Sequence, residues 1–337
     1  MKSKKMIRVI ETHTEGMPTR IVTAGFPKIP GATMAEKARF LMESAELGNL
    51  ATMLLDEPRG HIGQFGAVLT EPTTPGAVAG VVFFAPRYYH GGCGHGTIGV
   101  STMLVQTGVV SGPFPIEFKL DTPVGPVDVR ANGKDGTLES ISFRNVPGFL
   151  YASDIEFEVP GIGKVKADVA YGGNYYVYVW AEDLGVRVRV ENLLELRRMG
   201  TTVLNAAREQ IHIESPDPKI PGQFGAIMIR DEPLHPKANG KNIVMGSVGF
   251  DRSPCGTGTS GWVAALHGKG KIKVGDEFVN ESVIGSLFRG KVVEETKVGS
   301  TTAIIPEITG TAYITAFHDF VLDPNDPFPN GFKSYQA

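Results

Sequence analysis

The chain contains two cysteines, and both open the same phrase, Cys-Gly-x-Gly-Thr: Cys93 in GGCGHGTIGV and Cys255 in DRSPCGTGTS. A mostly apolar run follows each one, ending at Gly108 and Gly268. This places each thiol at the start of a short buried helix closed by a glycine. The first N–H groups of a helix have no partner inside it and carry the positive end of its dipole, so a thiol placed there is expected to ionise more readily. The same groups, on Gly94, His95, Gly256 and Thr257, are candidate donors to a carboxylate or a phosphate. If both helix starts address one anion, a thiolate takes a proton from one face of the carbon beside a carboxylate and a thiol returns one to the other. Such an inversion requires no cofactor.

The elements around the two phrases predict how they are held. The cysteines lie about half the chain apart, each with the same turn and the same kind of apolar segment, so the chain reads as two related halves. The first spans 1–135 plus 320–337 and carries Cys93, and the second spans 136–319 and carries Cys255. The hand-over is expected within Asp121–Gly136. Segments such as AGVVFFAP, GPVDVRA, ESISFRNV, KVKADVAYGGNYYVYVW, GAIMIR and TAYITAFHDFVLD read as strands, rich in β-branched and aromatic residues between turn signals. Thr33 and Glu36 form a capping box that opens an amphipathic helix to Leu50, with Ala38, Leu41 and Ala45 as its stripe. A counterpart runs from Glu191 to about Gln210. The fold class is therefore mixed α/β (α+β).

Length and charge narrow the function. A chain of 337 residues exceeds the usual size of one hydrophobic core. A formal net charge of -3 leaves no electrostatic footprint for nucleic acid or for an anionic membrane, so a small-molecule substrate is expected. No window is long and apolar enough to span a membrane. The N-terminal stretch lacks an apolar leader, so the cytoplasm is the expected location, where thiols stay reduced. A single structural disulfide is the alternative for the two cysteines. Neither phrase carries the Lys-Ser/Thr of a phosphate loop. Only His95 lies near a cysteine with metal-ligand chemistry, so no metal is expected.

With CGHGTIGV and DRSPCGTGTS in view, and with ETHTEGMPTRIV, EPRGH, VAYGGNYYVYV, ESVIGSLFRG and DPNDPFPNGF in support, the chain resembles the proline racemase and hydroxyproline epimerase family, of diaminopimelate-epimerase-like fold. The resemblance implies two pseudo-symmetric domains, each a barrel-like β-structure around a central helix, usually assembled as a homodimer. It implies Cys93 and Cys255 as the acid/base pair, with Gly94, His95, Gly256 and Thr257 holding the substrate carboxylate through backbone N–H groups. His95 and Asp251 would take the amine. Related dehydratases carry threonine in place of the second cysteine, so Cys255 favours racemisation over elimination. Phe65 stands where proline racemases carry a bulky apolar residue and favours proline over 4-hydroxyproline. Tyr89 and His90 are the polar residues that keep the epimerase reading open, and Arg59 and His61 are expected to be structural. An amino-acid-binding protein without turnover is the non-enzymatic alternative.

Overall fold

The computed structural model describes residues 5–85, 88–246 and 249–334. The chain divides into two compact units, 1–143 with 310–337, and 144–309. In the first unit lie β1 (Lys5–Thr14), β2 (Met17–Ala24), β3 (Phe65–Thr70), β4 (Ala79–Ala85), β5 (Tyr88–His90), β6 (Ile116–Thr122), β7 (Gly125–Lys134) and β8 (Thr137–Arg144). The second holds β9 (Phe149–Val159), β10 (Gly163–Tyr171), β11 (Tyr175–Trp180), β12 (Phe224–Asp231), β13 (Gly240–Gly246), β14 (Gly249–Asp251), β15 (Glu277–Ser282), β16 (Leu287–Val298) and β17 (Thr301–Gly310). The chain then returns as β18 (Ala312–Leu322), which pairs along β1 in the first unit.

The pairing repeats. In the first unit the order is β18-β1-β2-β3-β4-β6-β7-β8, and in the second β9-β10-β11-β12-β13-β15-β16-β17. Both orders have parallel steps at the third and fifth neighbours and antiparallel steps elsewhere. A short strand, β5 or β14, folds back on the central strand and leads into the helix that begins at the cysteine. The sequence boundaries of 135/136 and 319/320 therefore move to 143/144 and 309/310. The earlier cuts would have separated β8 from its hairpin partner β7 and split β18 from β1.

Five α-helices accompany the strands among the described residues: α1 (Met34–Glu43), α2 (Ala45–Leu55), α3 (Gly94–Gln106), α4 (Leu193–Gln210) and α5 (Gly256–Gly268). α3 touches β18, β1, β2, β3 and β7, so the first sheet wraps around it; α5 touches β9, β10, β11 and β16 in the second. Gly94–Leu104 and Gly256–Ala265 are buried on every side. This explains the mix of glycine, threonine and apolar residues in two helices with no polar face. Strand alternation does the sorting. On β11, Val177 and Val179 pack outward with Leu196, Val203 and Leu204 of α4, while Tyr176 and Tyr178 point inward with Trp262 and Val263 of α5.

The capping box at Thr33 and Glu36 is present, but the expected single helix is two. Ser44 adopts an extended backbone that ends α1, and its hydroxyl accepts the Leu47 N–H to start α2. Ala45 is consequently exposed, and Leu47 and Leu50 continue the apolar contact in its place.

Close backbone approach fixes α5 in its sheet. A Cβ built on Gly172, in the turn between β10 and β11, would lie 2.3 Å from the Gly261 nitrogen and 2.4 Å from the Thr257 oxygen. The Gly172→Ala variant is expected to lose roughly 3 kcal/mol through overpacking, read as a lower urea midpoint with an unchanged m-value.

Candidate active site

Cys93 is the N-cap of α3, with an extended backbone (φ -144°) and a half-buried side chain. Its carbonyl accepts the Thr97 N–H at 2.8 Å, which opens the helix. The thiol sulfur lies 3.6 Å from both ring nitrogens of His95, two residues along the first turn. His95 is buried, and Phe65 at the start of β3 meets its ring edge-on with centroids 4.8 Å apart. The Thr14 hydroxyl, at the end of β1, donates to the His95 carbonyl at 2.7 Å. β1, β3 and α3 thus bring Cys93, His95 and Phe65 together, with Gly94 as the first helical residue.

Cys255 caps α5 in the same topological place, but its backbone is different. Its φ of 64° is a conformation that non-glycine residues rarely adopt, at a cost of order 1–3 kcal/mol. A network pins it. The Cys255 N–H donates to the Ser253 hydroxyl at 3.2 Å, and Ser253 donates its own N–H (2.8 Å) and hydroxyl (2.7 Å) to one oxygen of Asp251. The Pro254 carbonyl accepts from Thr259 and from Asn280. On the other side the sulfur accepts the Gly258 N–H at 3.4 Å and lies 3.5 Å from the Tyr176 hydroxyl and 3.8 Å from that of Thr257. The second site therefore contains Asp251, Cys255, Gly256 and Thr257, with Tyr176 in addition.

The electrostatics reverse one expectation. Loss of water, followed by the neighbouring Asp251 charge, pushes the Cys255 thiol up to about 12. This outweighs the stabilisation from Tyr176, the Gly258 N–H and Thr257. Desolvation has the larger effect because the helix end supplies only partial charge, whereas burial removes the whole hydration of a thiolate. Cys255 accordingly rests as a thiol. Asp251 is itself raised to about 6 by desolvation, against hydrogen bonds from Ser253 and Cys255 that lower it. Neither cysteine is in a disulfide, which removes the structural-bridge reading. Among the described residues no three His, Cys, Asp or Glu side chains gather as a metal site.

Other expected residues lie elsewhere. Arg59 pairs with Asp326, and the Glu57 carboxylate accepts from Ser334, so EPRGH fastens the final DPNDPFPNGF segment to the first unit. His61 is exposed, with its ring against the neighbouring Ile62 carbonyl. The side chains of Tyr89 and His90 lie outside the described residues. Tyr176, Ser253 and Thr14 were missed as site residues. The signal for Tyr176 was the alternation in YYVYV, which sends Tyr176 and Tyr178 to the face that α5 occupies.

The proline racemase family model matches residues 9–333, and the chain belongs to that family, whose members are isomerases. It is 42% identical to a proline racemase of Clostridioides difficile over 98% of this chain and 99% of that one. It is 41% identical to a 4-hydroxyproline 2-epimerase of Streptosporangium roseum, again over 98% and 99%. A crystal structure of a hydroxyproline epimerase from Agrobacterium vitis with bound trans-4-hydroxy-L-proline superposes with a TM-score of 0.90 at 31% identity, covering 98% of this chain and 96% of that one. No helix among the described residues is long and apolar enough to cross a membrane.

The Asp251 shift has a consequence for stability. A carboxyl that binds its proton more tightly folded (about 6) than unfolded (about 3.9) is a liability once ionised. That liability develops as pH rises from about 4 to about 6. Wild type is expected to lose stability relative to Asp251→Asn across this window, and to run parallel to it above, in urea melts at stepped pH.

Proposed function

We propose that the protein interconverts L- and D-proline without a cofactor, using Cys93 and Cys255 as the two bases. The observation that carries this reading is the repeated position of the two thiols, each the N-cap of a fully buried helix at the same place in the same strand order. An α-proton is too weakly acidic for a thiolate unless the developing charge is stabilised. The N–H groups of Gly94, His95, Gly256 and Thr257 would hold the carboxylate and absorb that charge. Asp251, with His95, would hold the amine as ammonium, which also withdraws electrons from the α-carbon.

With Cys255 resting as a thiol, Cys93 is the base in the first half-reaction. Its thiolate takes the α-proton, the electron pair passes towards the carboxylate, and the Cys255 S–H delivers its proton to the opposite face. The turnover ends with Cys93 as thiol and Cys255 as thiolate, ready for the reverse reaction on the enantiomer. A bound ammonium beside Asp251 would offset the carboxylate that raises Cys255, making that second state reachable.

Relatives with racemase and epimerase names match this chain at close identity, 42% and 41%, so they do not choose the substrate. Phe65 supports proline. Its apolar ring against His95, beside Cys93, suits a plain pyrrolidine ring and offers no partner to a ring hydroxyl, at a cost of ~1–3 kcal/mol. 4-Hydroxyproline 2-epimerisation is the second reading and elimination from 3-hydroxyproline a distant third. A homodimer in a reducing compartment suits the family and the two thiols.

The deciding experiment is proton NMR of L-proline in D₂O with reduced enzyme and no additive, followed by chiral chromatography. Loss of the α-proton signal with appearance of D-proline is expected, and Cys93→Ser or Cys255→Ser is expected to abolish D-proline formation. Racemisation by either variant at the wild-type rate would sink the two-thiol reading. Phe65→Ser is expected to shift the kcat/KM ratio towards trans-4-hydroxyproline by about tenfold, measured by competition between the two imino acids.

A further inference from the structure

The two thiols are served by different neighbours at equivalent positions. Two residues after Cys93 stands His95, whose ring nitrogens approach the sulfur. Two residues after Cys255 stands Thr257, and the second partner there is Tyr176, reaching in from β11. The Tyr176 hydroxyl lies 2.7 Å from the Thr257 hydroxyl and 3.5 Å from the Cys255 sulfur, so the three polar groups form a chain. Tyr176 and Thr257 are buried, and β11 is anchored from the next inward residue, where Tyr178 donates to the Gly258 carbonyl at 2.9 Å.

We propose that Tyr176 is the positioning residue for Cys255, acting with Thr257 as a pair of reversible hydroxyls that serve the sulfur in both of its protonation states. A hydroxyl both donates and accepts. When Cys255 is a thiol, its S–H is turned to Asp251 and the Tyr176 hydroxyl donates to Thr257. When Cys255 is a thiolate, both O–H bonds turn round: Thr257 donates to Tyr176, and Tyr176 donates to the sulfur. No heavy atom moves. An atom that alternates between acid and base on successive turnovers needs such a neighbour, because a fixed donor would favour one state and a fixed acceptor the other. His95 meets the same need at Cys93 through its two ring nitrogens, which explains why the residue two places after each cysteine is different while the helix caps match.

Other groups also address Cys255. Asp251 opposes its ionisation, the Gly258 N–H supports it, and Tyr178 lies near enough to feel its charge. The proposal assigns to Tyr176 the share that runs through its hydroxyl. Tyr176 is held neutral, well above the usual tyrosine range, mainly by burial, so it stays a hydroxyl throughout the cycle.

The inference rests on Cys255 being one of the two bases, and its test reads the thiol directly. Wild type and variants are carbamidomethylated with iodoacetamide over a range of pH, and the rates at Cys93 and Cys255 are read separately by peptide mass spectrometry. The Cys255 midpoint lies too high to reach with the protein folded, so the readout is the Cys255 rate on the low-pH side of its rise, where it follows the thiolate fraction, divided by the Cys93 rate in the same sample. Tyr176→Phe is expected to lower this ratio about tenfold, with Cys93 at its wild-type rate. A gain in access from the lost hydroxyl would raise the ratio, the opposite sign. Thr257→Val should lower the ratio by less, and Thr257→Ser should restore it. An unchanged or higher ratio in Tyr176→Phe, or an equal slowing of both cysteines, would overturn the proposal; if Tyr176→Phe does not fold, Thr257→Val against Thr257→Ser decides it. Full racemisation by Cys255→Ser would instead remove Cys255 as a base, whatever the ratios show.

Discussion

The structure depends on a helix that is buried on all sides and begins at a cysteine. Burial of α3 and α5 gives them no polar face, so the sheet wrapped around each one must supply every lateral contact. Their first N–H groups have no partner within the helix. The apolar core and the cysteine cap thus answer one constraint, met twice with the same strand order.

The two repeats then diverge at the thiols. Cys93 has a relaxed extended backbone and an imidazole beside it. Cys255 sits in a strained conformation, pinned by Ser253, Asp251 and the Pro254 carbonyl, and is raised by burial. A duplicated frame supplies equivalent positions, and different side chains fill them: His95 beside one sulfur, Tyr176 and Thr257 beside the other.

Supporting motifs gain physical roles. ETHTEGMPTRIV supplies Thr14, which holds the His95 carbonyl, and a buried ion pair at 2.6 Å between Glu11 and Arg20 across β1 and β2. EPRGH and DPNDPFPNGF fasten to one another through Arg59 with Asp326 and through the Phe332 N–H, which donates to the Glu57 carbonyl. VAYGGNYYVYV combines the tight Gly172 turn against α5 with the inward tyrosines. Each of these segments fixes one element of the fold to another.

The sequence by itself determined the duplication, the mixed α/β class, the start of each buried helix and the residue types at the caps, because these follow from local pattern: a repeated phrase, strand alternation and glycine punctuation. It located the α1 capping box for the same reason, yet ran the helix through Ser44, where an extended residue caps a second helix instead. Tertiary structure alone decided that β18 belongs with β1, since pairing between distant segments leaves no local trace, whereas β8 follows β7 through the two-residue Asp135-Gly136 turn, a local hairpin signal. It alone decided the ionisation of Cys255. Helix position argues for a thiolate from sequence, but burial depends on everything packed around the sulfur, including a tyrosine 79 residues away in the chain.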